Sequence, residues 1–440
     1  MSAERGVRAP RIPTDPPRGM RDILPDEAEL RDATARTILD VYRAYGFRRV
    51  ETPALENIAL LTRGEGGENE KLIFKVLKRG EKLDLHAATG EADLVDLGLR
   101  FDLTVPLARY YAHNAGVLPR PLKAVQIGPV WRAERPQRGR YRQFTQCDID
   151  ILGVATEVAE VELILATTEA LAALGLPGLT VRLNDRRLLV AMAAWCGFEP
   201  ARYDGVFITL DKWGKLPATA VGAELERAGH PAGAVARMLD LFGGLDAARG
   251  VDDLRARLGG HGDPAAFEMV ARILRAVEAE AAGRVRIGFD ATLVRGMSYY
   301  TGPIFEITSA AFPSSIAGGG RYDRMIGKLL GRDVPATGFS IGFERVVAIL
   351  SERPARAVPR ERRIALLFDP AADDLARVLR AARQLRAGGH LVSLEPRGRA
   401  VRPGTLVAQG FQGLATVSPT GEPAVRWLAA GTSAAPGGGA

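Results

Sequence analysis

The run from Trp131 to Asp150 constrains the fold of this chain more than any other part of the sequence. Apolar and polar residues alternate on both sides of a centre containing proline and glycine, Arg135 to Gly139, as in two antiparallel strands joined by a loop. Five arginines fall within eleven of these residues. The alternation places Phe144 and Gln146 on one face of the second strand. The sequence therefore predicts an arginine-rich β-hairpin.

An arginine-rich hairpin with an aromatic residue is suited to bind a nucleotide. A guanidinium group can hold a phosphate through paired hydrogen bonds, and the ring of Phe144 can stack on a base. A solvated hairpin whose basic edge discourages strand pairing explains the same residues. The formal net charge of +7 is compatible with a polyanionic partner such as RNA but does not establish one. The hairpin alone leaves both interpretations open.

A second run, Leu293 to Glu306, combines Arg295 with the adjacent tyrosines Tyr299 and Tyr300. Phenol groups donate and accept hydrogen bonds, so this run can line a small polar pocket. A half-buried strand with aromatic residues on both faces fits the same pattern equally well.

Two glycine-containing runs follow. Ala317 to Asp323 holds three consecutive glycines ahead of a predicted helix, Arg321 to Leu330. We interpret it as a turn whose backbone N–H groups can approach an anionic ligand, although it lacks the Gly-Lys-Ser/Thr of a P-loop. Gly338 to Arg345 predicts a strand that passes into a helix and ends in an arginine. An arginine at such a position is more often structural than catalytic.

Other chemistries are excluded by the residues that the chain lacks or scatters. Cys147 and Cys196 are its only cysteines, which excludes a disulfide framework and a cysteine-based zinc site. The five histidines show no metal-ligand spacing. No apolar run approaches the ~20 residues of a membrane span, and the N-terminus lacks the apolar segment of a secretory signal. We therefore expect a cytoplasmic protein.

The length of 440 residues predicts two to four folding units. Residues 1–18 are expected to be a flexible leader. Hydrophobic periodicity is mostly helical over 154–284, with strand signals before and after it, which divides this part of the chain into 19–153, 154–284 and 285–350. Within the first stretch, the alternation predicts a hairpin over Leu72–Leu85 and a strand over 99–103.

A linker rich in proline and arginine, 351–363, marks a boundary. Strands and helices alternate over the next residues, 364–428, which predicts a small α/β domain with a parallel sheet. Its last predicted strand is 413–417. The final residues, 429–440, are expected to form a disordered tail.

Together, the four runs resemble one family, the class II histidyl-tRNA synthetases. Trp131–Gly153 is similar to motif 2 of class II synthetases, and Gly338–Arg345 is similar to motif 3. Leu293–Glu306 and Ala317–Asp323 resemble the two histidine-specific signatures of the family. The resemblance extends from about residue 17 to residue 350 and continues weakly to about residue 428.

Two further segments add to the resemblance. Glu51-Thr52-Pro53 is similar to the end of the dimer-forming motif 1, and Leu99–Pro106 to the segment that binds the α-amino group of the amino acid. The implied fold is a class II catalytic core built on an antiparallel sheet, with a helical insertion. A small C-terminal α/β domain similar to anticodon-binding domains completes it. The resemblance also implies a homodimer.

Site residues follow from the resemblance at matching positions. For ATP it implies Arg132, Glu134, Arg140, Phe144 and Arg345. For histidine it implies Asp102, Thr104, Gln146, Asp150, Tyr299, Tyr300, Gly318 and Gly320. The implied catalytic residues are Arg295, Arg132 and Arg345, with Arg295 beside the α-phosphate. Gln137 is implied to contact the tRNA acceptor stem, and no protein metal ligand is implied.

The implied reaction has two steps. The histidine carboxylate attacks the α-phosphorus of ATP to give histidyl-adenylate, and the histidyl group then passes to the 3′ end of histidine tRNA. The implied substrates and partners are therefore L-histidine, ATP with Mg²⁺, and histidine tRNA.

Two departures from the family pattern keep other functions open. Ser298 stands where the family commonly has an acidic residue, and Arg402-Pro403-Gly404 is expected to break the helix that should follow Glu395. A C-terminal domain shortened in this way would suit a paralogue that makes histidyl-adenylate for an acceptor other than tRNA. A catalytically inactive regulatory subunit of histidine biosynthesis is the other alternative. The retained Arg132, Arg295 and Arg345 count against the regulatory subunit.

Overall fold

The computed structural model describes residues 13–62, 72–136, 141–245, 250–295, 299–353, 362–397, 402–417 and 423–428. The chain divides into two compact units, Met1–Arg353 and Pro354–Ala440. Most of the predicted leader and linker and all of the predicted tail (1–12, 354–361 and 429–440) lie outside the described residues. Within the described ranges, no helix is both long and apolar enough to cross a membrane.

The first unit is built around β-strands from distant parts of the sequence. In chain order they are β1 (Arg48–Arg49), β2 (Leu55–Asn57), β3 (Lys75–Leu77), β4 (Val95–Leu99), β5 (Leu122–Trp131), β6 (Gln143–Leu152), β7 (Thr180–Asp185), β8 (Arg286–Phe289), β9 (Pro303–Ser309), β10 (Phe312–Arg321) and β11 (Ala336–Ile341).

Eight of these strands form one sheet in the order β1-β5-β6-β11-β10-β9-β7-β8. The outermost pairs, β1/β5 and β7/β8, are parallel, and the pairs between them are antiparallel. A smaller antiparallel sheet has the order β2-β4-β3. The large sheet confirms the predicted antiparallel core, and the β5/β6 pair confirms the predicted arginine-rich hairpin.

Helices cover and connect the strands of the first unit. They are α1 (Pro25–Ala44), α2 (Ile58–Thr62), α3 (Glu91–Leu94), α4 (Thr104–Asn114), α5 (Val158–Ala173), α6 (Arg186–Cys196), α7 (Tyr203–Leu210), α8 (Ala218–Arg227), α9 (Ala232–Gly244), α10 (Gly250–Arg257), α11 (Pro264–Ala281), α12 (Asp323–Leu330) and α13 (Phe343–Ser351).

Helix α1 illustrates why these segments are helical. Pro25 occupies its first turn, where a missing N–H costs no hydrogen bond, and Asp26 and Glu27 lie at the positive end of the helix dipole. Its buried residues recur every four positions, from Leu30 to Tyr42, and this face packs on α5. The helix thereby covers one side of the large sheet.

The region 154–284 combines helices with a strand, β7. Strand β7 lies inside it and pairs with both β9 and β8, so it belongs to the large sheet. Its residues alternate between half-buried and buried before becoming fully buried at Leu183–Asp185, which is typical of an internal strand. The helices from α6 to α11 follow it in the sequence. The insertion boundaries themselves stay a prediction.

Two local predictions in the first unit are wrong. The hairpin predicted over Leu72–Leu85 does not form, because β3 pairs with β4 and a 3-10 turn, Gly80–Lys82, occupies the predicted second strand. The strand predicted over 99–103 ends at Leu99. Asp102 turns the chain there, since its carboxylate accepts a hydrogen bond from the Val105 N–H in the first turn of α4 at 3.1 Å.

A buried ion pair joins α5 to the end of β10. Arg321 donates from Nε and from a terminal nitrogen to the two carboxylate oxygens of Glu160, at 2.7 and 2.8 Å. The side chains are 5% and 0% exposed. Arg321 also donates to the carbonyl oxygens of Val154 and Thr156, each at 3.2 Å. Such a pair fixes the position of two elements far apart in sequence.

The second unit is a small α/β domain. Its elements are β12 (Arg363–Phe368), α14 (Leu375–Ala387), β13 (Leu391–Pro396), α15 (Pro403–Ala408), β14 (Gly413–Val417) and β15 (Pro423–Trp427). The sheet order is β13-β12-β14-β15. Strand β12 is parallel to both neighbours, as predicted, whereas β15 pairs antiparallel with β14 and makes the sheet mixed.

The predicted break at Arg402-Pro403-Gly404 is wrong, because helix α15 begins at Pro403. Proline interrupts a helix only in its interior, and in the first turn its fixed φ angle and missing N–H are favourable. Leu406 then buries its side chain beside Phe411. The unit therefore has a second helix after β13.

Candidate active site

A cavity of about 300 Å³ opens above the middle of the large sheet. Strands β6, β10 and β11 contribute lining residues, as do Asp102 before α4 and the side chains of Arg295, Tyr299 and Tyr300. The cavity brings together residues from the predicted site: Asp102, Thr104, Arg132, Glu134, Phe144, Gln146, Asp150, Arg295, Tyr299, Tyr300, Gly318 and Arg345.

Two predicted site residues are not described by the structure, and one described residue, Gly320, does not line this cavity. Gln137 and Arg140 lie outside the described residues. Gly320 is on β10 but behind Tyr300, since a Cβ atom at this glycine would lie 2.8 Å from the Tyr300 Cδ1. Gly320 therefore makes room for Tyr300.

The glycine-rich run is a strand, not the predicted turn. Gly318, Gly319 and Gly320 lie inside β10, paired with β9 on one side and β11 on the other. Their backbone N–H and C=O groups lie within the paired strands of the sheet, so they do not form an anion-binding turn. A Cβ at Gly319 would lie 2.8 Å from the Phe339 Cα, and one at Gly318 would lie 2.6 Å from the Arg295 Cζ. Only glycine leaves space for these neighbours.

Arg295 places a buried cation at the cavity wall, over Gly318. One terminal nitrogen donates to Glu306 on β9 at 2.5 Å, while the buried Nε has no partner among the described residues. Burial alone would lower the pKa of Arg295, but the neighbouring Tyr300 and Glu306 raise the pKa overall. The guanidinium is held charged and has donor capacity left for a ligand.

The opposite wall is acidic. Gln146, Asp148 and Asp150 alternate along β6 and point to the same side, and Asp102 faces them from the segment before α4. Buried oxygen atoms without partners in the described ranges are Asp102 Oδ2, Gln146 Oε1 and Asp150 Oδ2. Buried acceptors left unpaired in this way are suited to a ligand that carries N–H donors.

The three aspartates are protonated more readily than exposed ones. Burial raises the pKa of Asp102 to about 6 and the pKa of Asp150 to about 7. Burial and the nearby Asp150 also raise the pKa of Asp148. A cationic ligand would lower all three pKa values, because it favours the ionised carboxylates.

Tyr322 is a cavity residue that sequence reasoning missed. Its hydroxyl donates to Asp150 Oδ1 at 2.5 Å, and its ring lies 6.0 Å from the ring of Tyr299. Tyr299 in turn contacts Tyr300, with ring centroids 4.8 Å apart. Tyr322 lies within the second histidine-specific run, two residues after Gly320, so that run already carried the signal.

Arg132 and Phe144 meet across the β5/β6 hairpin. The guanidinium lies 5.1 Å from the ring centroid of Phe144, and its Nε donates to the carbonyl oxygen of Phe101 at 2.9 Å. This cation–π contact lies at the mouth of the acidic wall and combines a cation with an aromatic face. The contact is compatible with the predicted nucleotide site.

Glu344, a cavity residue on α13, links this helix to α1 and β6 through hydrogen bonds. It accepts two hydrogen bonds from Arg31 on α1 at 2.7 Å each and one from the backbone N–H of Thr145 on β6 at 3.0 Å. Its neighbour Arg345 donates to the carbonyl oxygen of Ser315. The predicted strand-to-helix passage is confirmed by β11 and α13, and it places Arg345 at the cavity.

Both charges line one cavity. We call the buried carboxylates Asp102, Asp148 and Asp150 its acidic end and Arg132, Arg295 and Arg345 its basic end, and Arg132 lies close enough to Asp102 and Asp148 to lower their pKa values. The described residues include no group of three or more histidine, cysteine, aspartate or glutamate side chains that could hold a metal ion. A molecule with an ammonium group and a phosphate-bearing partner would match both ends.

Comparisons with known proteins agree with this geometry. A family model described as Histidyl-tRNA synthetase matches residues 19–346. The histidine–tRNA ligase of Leifsonia xyli subsp. xyli is 48% identical over 417 residues, covering 92% of this chain and 95% of its own length. That of Aeropyrum pernix is 40% identical over 339 residues, covering 76% of this chain and 73% of its own.

The fold agrees as well. The crystal structure of histidyl-tRNA synthetase from Nostoc sp. PCC 7120 superimposes with a TM-score of 0.75 at 24% identity, over 95% of this chain and 97% of the Nostoc chain. The family match, the sequence relatives and the fold lead to one conclusion. The chain belongs to the histidyl-tRNA synthetase family.

Proposed function

We propose that this protein activates L-histidine with ATP and transfers the histidyl group to the 3′ end of histidine tRNA. The observation that carries this proposal is the single cavity with buried carboxylates at one end and arginines at the other. The names of the sequence relatives support the same activity. Neither the regulatory subunit nor the adenylate-forming paralogue is favoured by them.

The acidic end is proposed to bind histidine. Asp102, Thr104 and Gln146 take the α-ammonium group, because two of them present buried oxygens with no partner in the described part of the chain. Asp150 accepts the imidazole N–H through its free Oδ2, and Tyr300 meets the second ring nitrogen. Tyr299 and Gly318 complete the walls of this end, and Gly320 supports Tyr300 from behind.

The basic end is proposed to bind ATP. Arg132 and Arg345 hold phosphates, and Phe144 stacks on the adenine with Glu134 beside it, as the family resemblance implies. Arg140 and Gln137 belong to the same proposal, the first at the nucleotide and the second at the tRNA acceptor stem.

The first chemical step is an in-line displacement. A carboxylate oxygen of histidine forms a bond to the α-phosphorus of ATP while the bond to the departing pyrophosphate breaks. Arg295, which donates to Glu306, is proposed to neutralise negative charge on the α-phosphate as the step proceeds. In the second step, a 3′-terminal tRNA hydroxyl attacks the histidyl carbonyl carbon, and AMP leaves.

The described residues do not fit a resident magnesium ion. Glu306 and Glu344 are already engaged by arginines, and no cluster of ligands exists among the described side chains. Mg²⁺ is therefore proposed to enter bound to the phosphate oxygens of ATP. The homodimer and the cytoplasmic location implied by the resemblance belong to the same proposal.

We expect the purified protein to catalyse histidine-dependent pyrophosphate exchange and to charge a histidine tRNA transcript. Both reactions are measured on one preparation, with a non-cognate tRNA as the control. Exchange without charging would favour the adenylate-forming paralogue. Loss of both reactions would favour a regulatory subunit and contradict the proposal.

Asp150→Asn is expected to raise the histidine KM roughly tenfold or more while leaving the ATP KM nearly unchanged, because an amide replaces a charged acceptor. In the wild type, the histidine KM should fall as pH rises from 6 to 8. The sign follows from the raised pKa of about 7, since deprotonation of Asp150 creates the acceptor.

Pyrophosphate exchange at several pH values measures both effects. Histidine itself titrates near this range, so the comparison is between variant and wild type at each pH. The histidine KM of the Asp150→Asn variant, divided by that of the wild type, should increase with pH. A ratio independent of pH, or an unchanged histidine KM, would remove Asp150 from the imidazole site.

A further inference from the structure

Asp148 is a buried carboxyl group to which neither the resemblance nor the proposed reaction gives a role. It lies on β6 between Gln146 and Asp150, faces the same cavity and is 4% exposed. Burying a carboxyl group is costly unless it has partners. The partners of Asp148 are therefore informative.

Gln146 is one of these partners. Its side-chain Nε2 lies 3.2 Å from Asp148 Oδ2 and 3.5 Å from Asp148 Oδ1. The second partner is Ser340, which lies directly opposite Asp148 in the β6/β11 register and hydrogen-bonds to its carboxyl group. The Ser340 Oγ is also 3.4 Å from Gln146 Nε2. Both sides of the Gln146 amide nitrogen are thereby enclosed by acceptors.

A glutamine amide can present either its NH₂ group or its oxygen to a ligand, since the two ends have nearly the same shape. A bound ammonium group lowers the pKa of Asp148, and an ionised carboxylate accepts hydrogen bonds and donates none, so it holds the NH₂ end and repels the oxygen. In this site the amide oxygen of Gln146 is accordingly the end left buried without a partner among the described residues.

We propose that Asp148 is a positioning residue that fixes the Gln146 amide with its oxygen toward the cavity, so that the site selects a ligand carrying a primary ammonium group. This rests on the proposed function, in which that ligand is histidine. The ammonium group then meets the amide oxygen and the Asp102 carboxylate together. Without Asp148, the amide could turn and present donors to a group that only donates.

The Asp148→Asn variant tests the proposal, because an asparagine of the same size can accept from the NH₂ end of Gln146 or donate to its oxygen end. Two inhibitors of histidine-dependent pyrophosphate exchange serve as probes. Histidinol keeps the α-ammonium group, and imidazolepropionate lacks it. We expect the inhibition constant of histidinol to rise about tenfold, as for the loss of one charge-assisted hydrogen bond, and that of imidazolepropionate to stay within twofold.

Ser340→Ala is the matched variant, since it removes one hydrogen bond to Asp148 without altering the carboxylate. It should shift the histidinol constant in the same direction by a smaller factor. In a Gln146→Leu background, Asp148→Asn should have little further effect on histidinol, because the two residues act as a unit.

Equal losses for both inhibitors would assign Asp148 a merely structural role and overturn the proposal. Independent, multiplicative effects in the Gln146→Leu background would overturn it too. Failure of the proposed function is distinguishable from both outcomes, because the wild type itself would then show no histidine-dependent exchange.

Discussion

Replacing Arg295 by alanine is expected to slow histidine-dependent pyrophosphate exchange by roughly a hundredfold to a thousandfold, the loss found when one preorganised donor to a developing negative charge is removed. The guanidinium lies over Gly318, has its pKa raised by Tyr300 and Glu306, and has a buried Nε without a partner among the described residues. The histidine KM should change far less than kcat, since the charge that Arg295 neutralises grows during the reaction.

Arg295→Ala leaves Glu306 buried without its partner, so a folding defect must be separated from a catalytic one. Arg295→Lys keeps a cation near Glu306 but loses the planar fork of donors, and we expect it to fold normally and recover part of the rate. Thermal melting curves of both variants, measured beside exchange, make the distinction. Near-normal exchange by a folded Arg295→Ala protein would remove the catalytic assignment.

Breaking the ion pair between Arg321 and Glu160 should have the largest effect on stability. We expect Arg321→Met to lower the free energy of unfolding by about 3–5 kcal/mol, because it leaves the Glu160 carboxylate buried and unpaired. Denaturant titration followed by circular dichroism measures the change. The double variant Glu160→Leu/Arg321→Met should recover much of the loss, since neither charge then remains inside the protein.

An exposed pair provides the control for this experiment. Arg255 and Glu268 are 2.8 Å apart and each is 48% exposed. Arg255→Ala should therefore cost no more than about 1 kcal/mol. If Arg321→Met cost as little as Arg255→Ala, the pair would not be what holds α5 against β10.

Several patterns confined to one segment were read correctly from the sequence, although the hairpin predicted over Leu72–Leu85 was not. The β5/β6 hairpin follows from alternation around Arg135–Gly139, and the β11-to-α13 passage follows from the run ending in Arg345. Both depend on neighbours in sequence, which periodicity records. The β14 strand, Gly413–Val417, was predicted for the same reason and has these bounds in the structure.

Features that depend on distant partners were missed or misread. In the sequence, the glycines of β10 indicate a turn. In the structure, they lie in a strand where Arg295 and Phe339 occupy the space that a side chain would need. Asp148, Glu306 and Tyr322 carried no signal as single residues, because each matters through a neighbour on another strand or another part of the chain. The residue types thus predicted what kind of site the chain forms. Which side chains contact each other could be determined only from the folded structure.

The glycine run of β10 also limits how this enzyme can be redesigned. Engineering a synthetase to accept a noncanonical amino acid commonly begins by randomising the residues around the substrate. Here, any side chain at Gly318 or Gly319 would collide with Arg295 or with the Phe339 backbone. Variant libraries for this protein should keep those codons fixed and place their diversity at Tyr322 instead, a cavity residue whose hydroxyl holds Asp150.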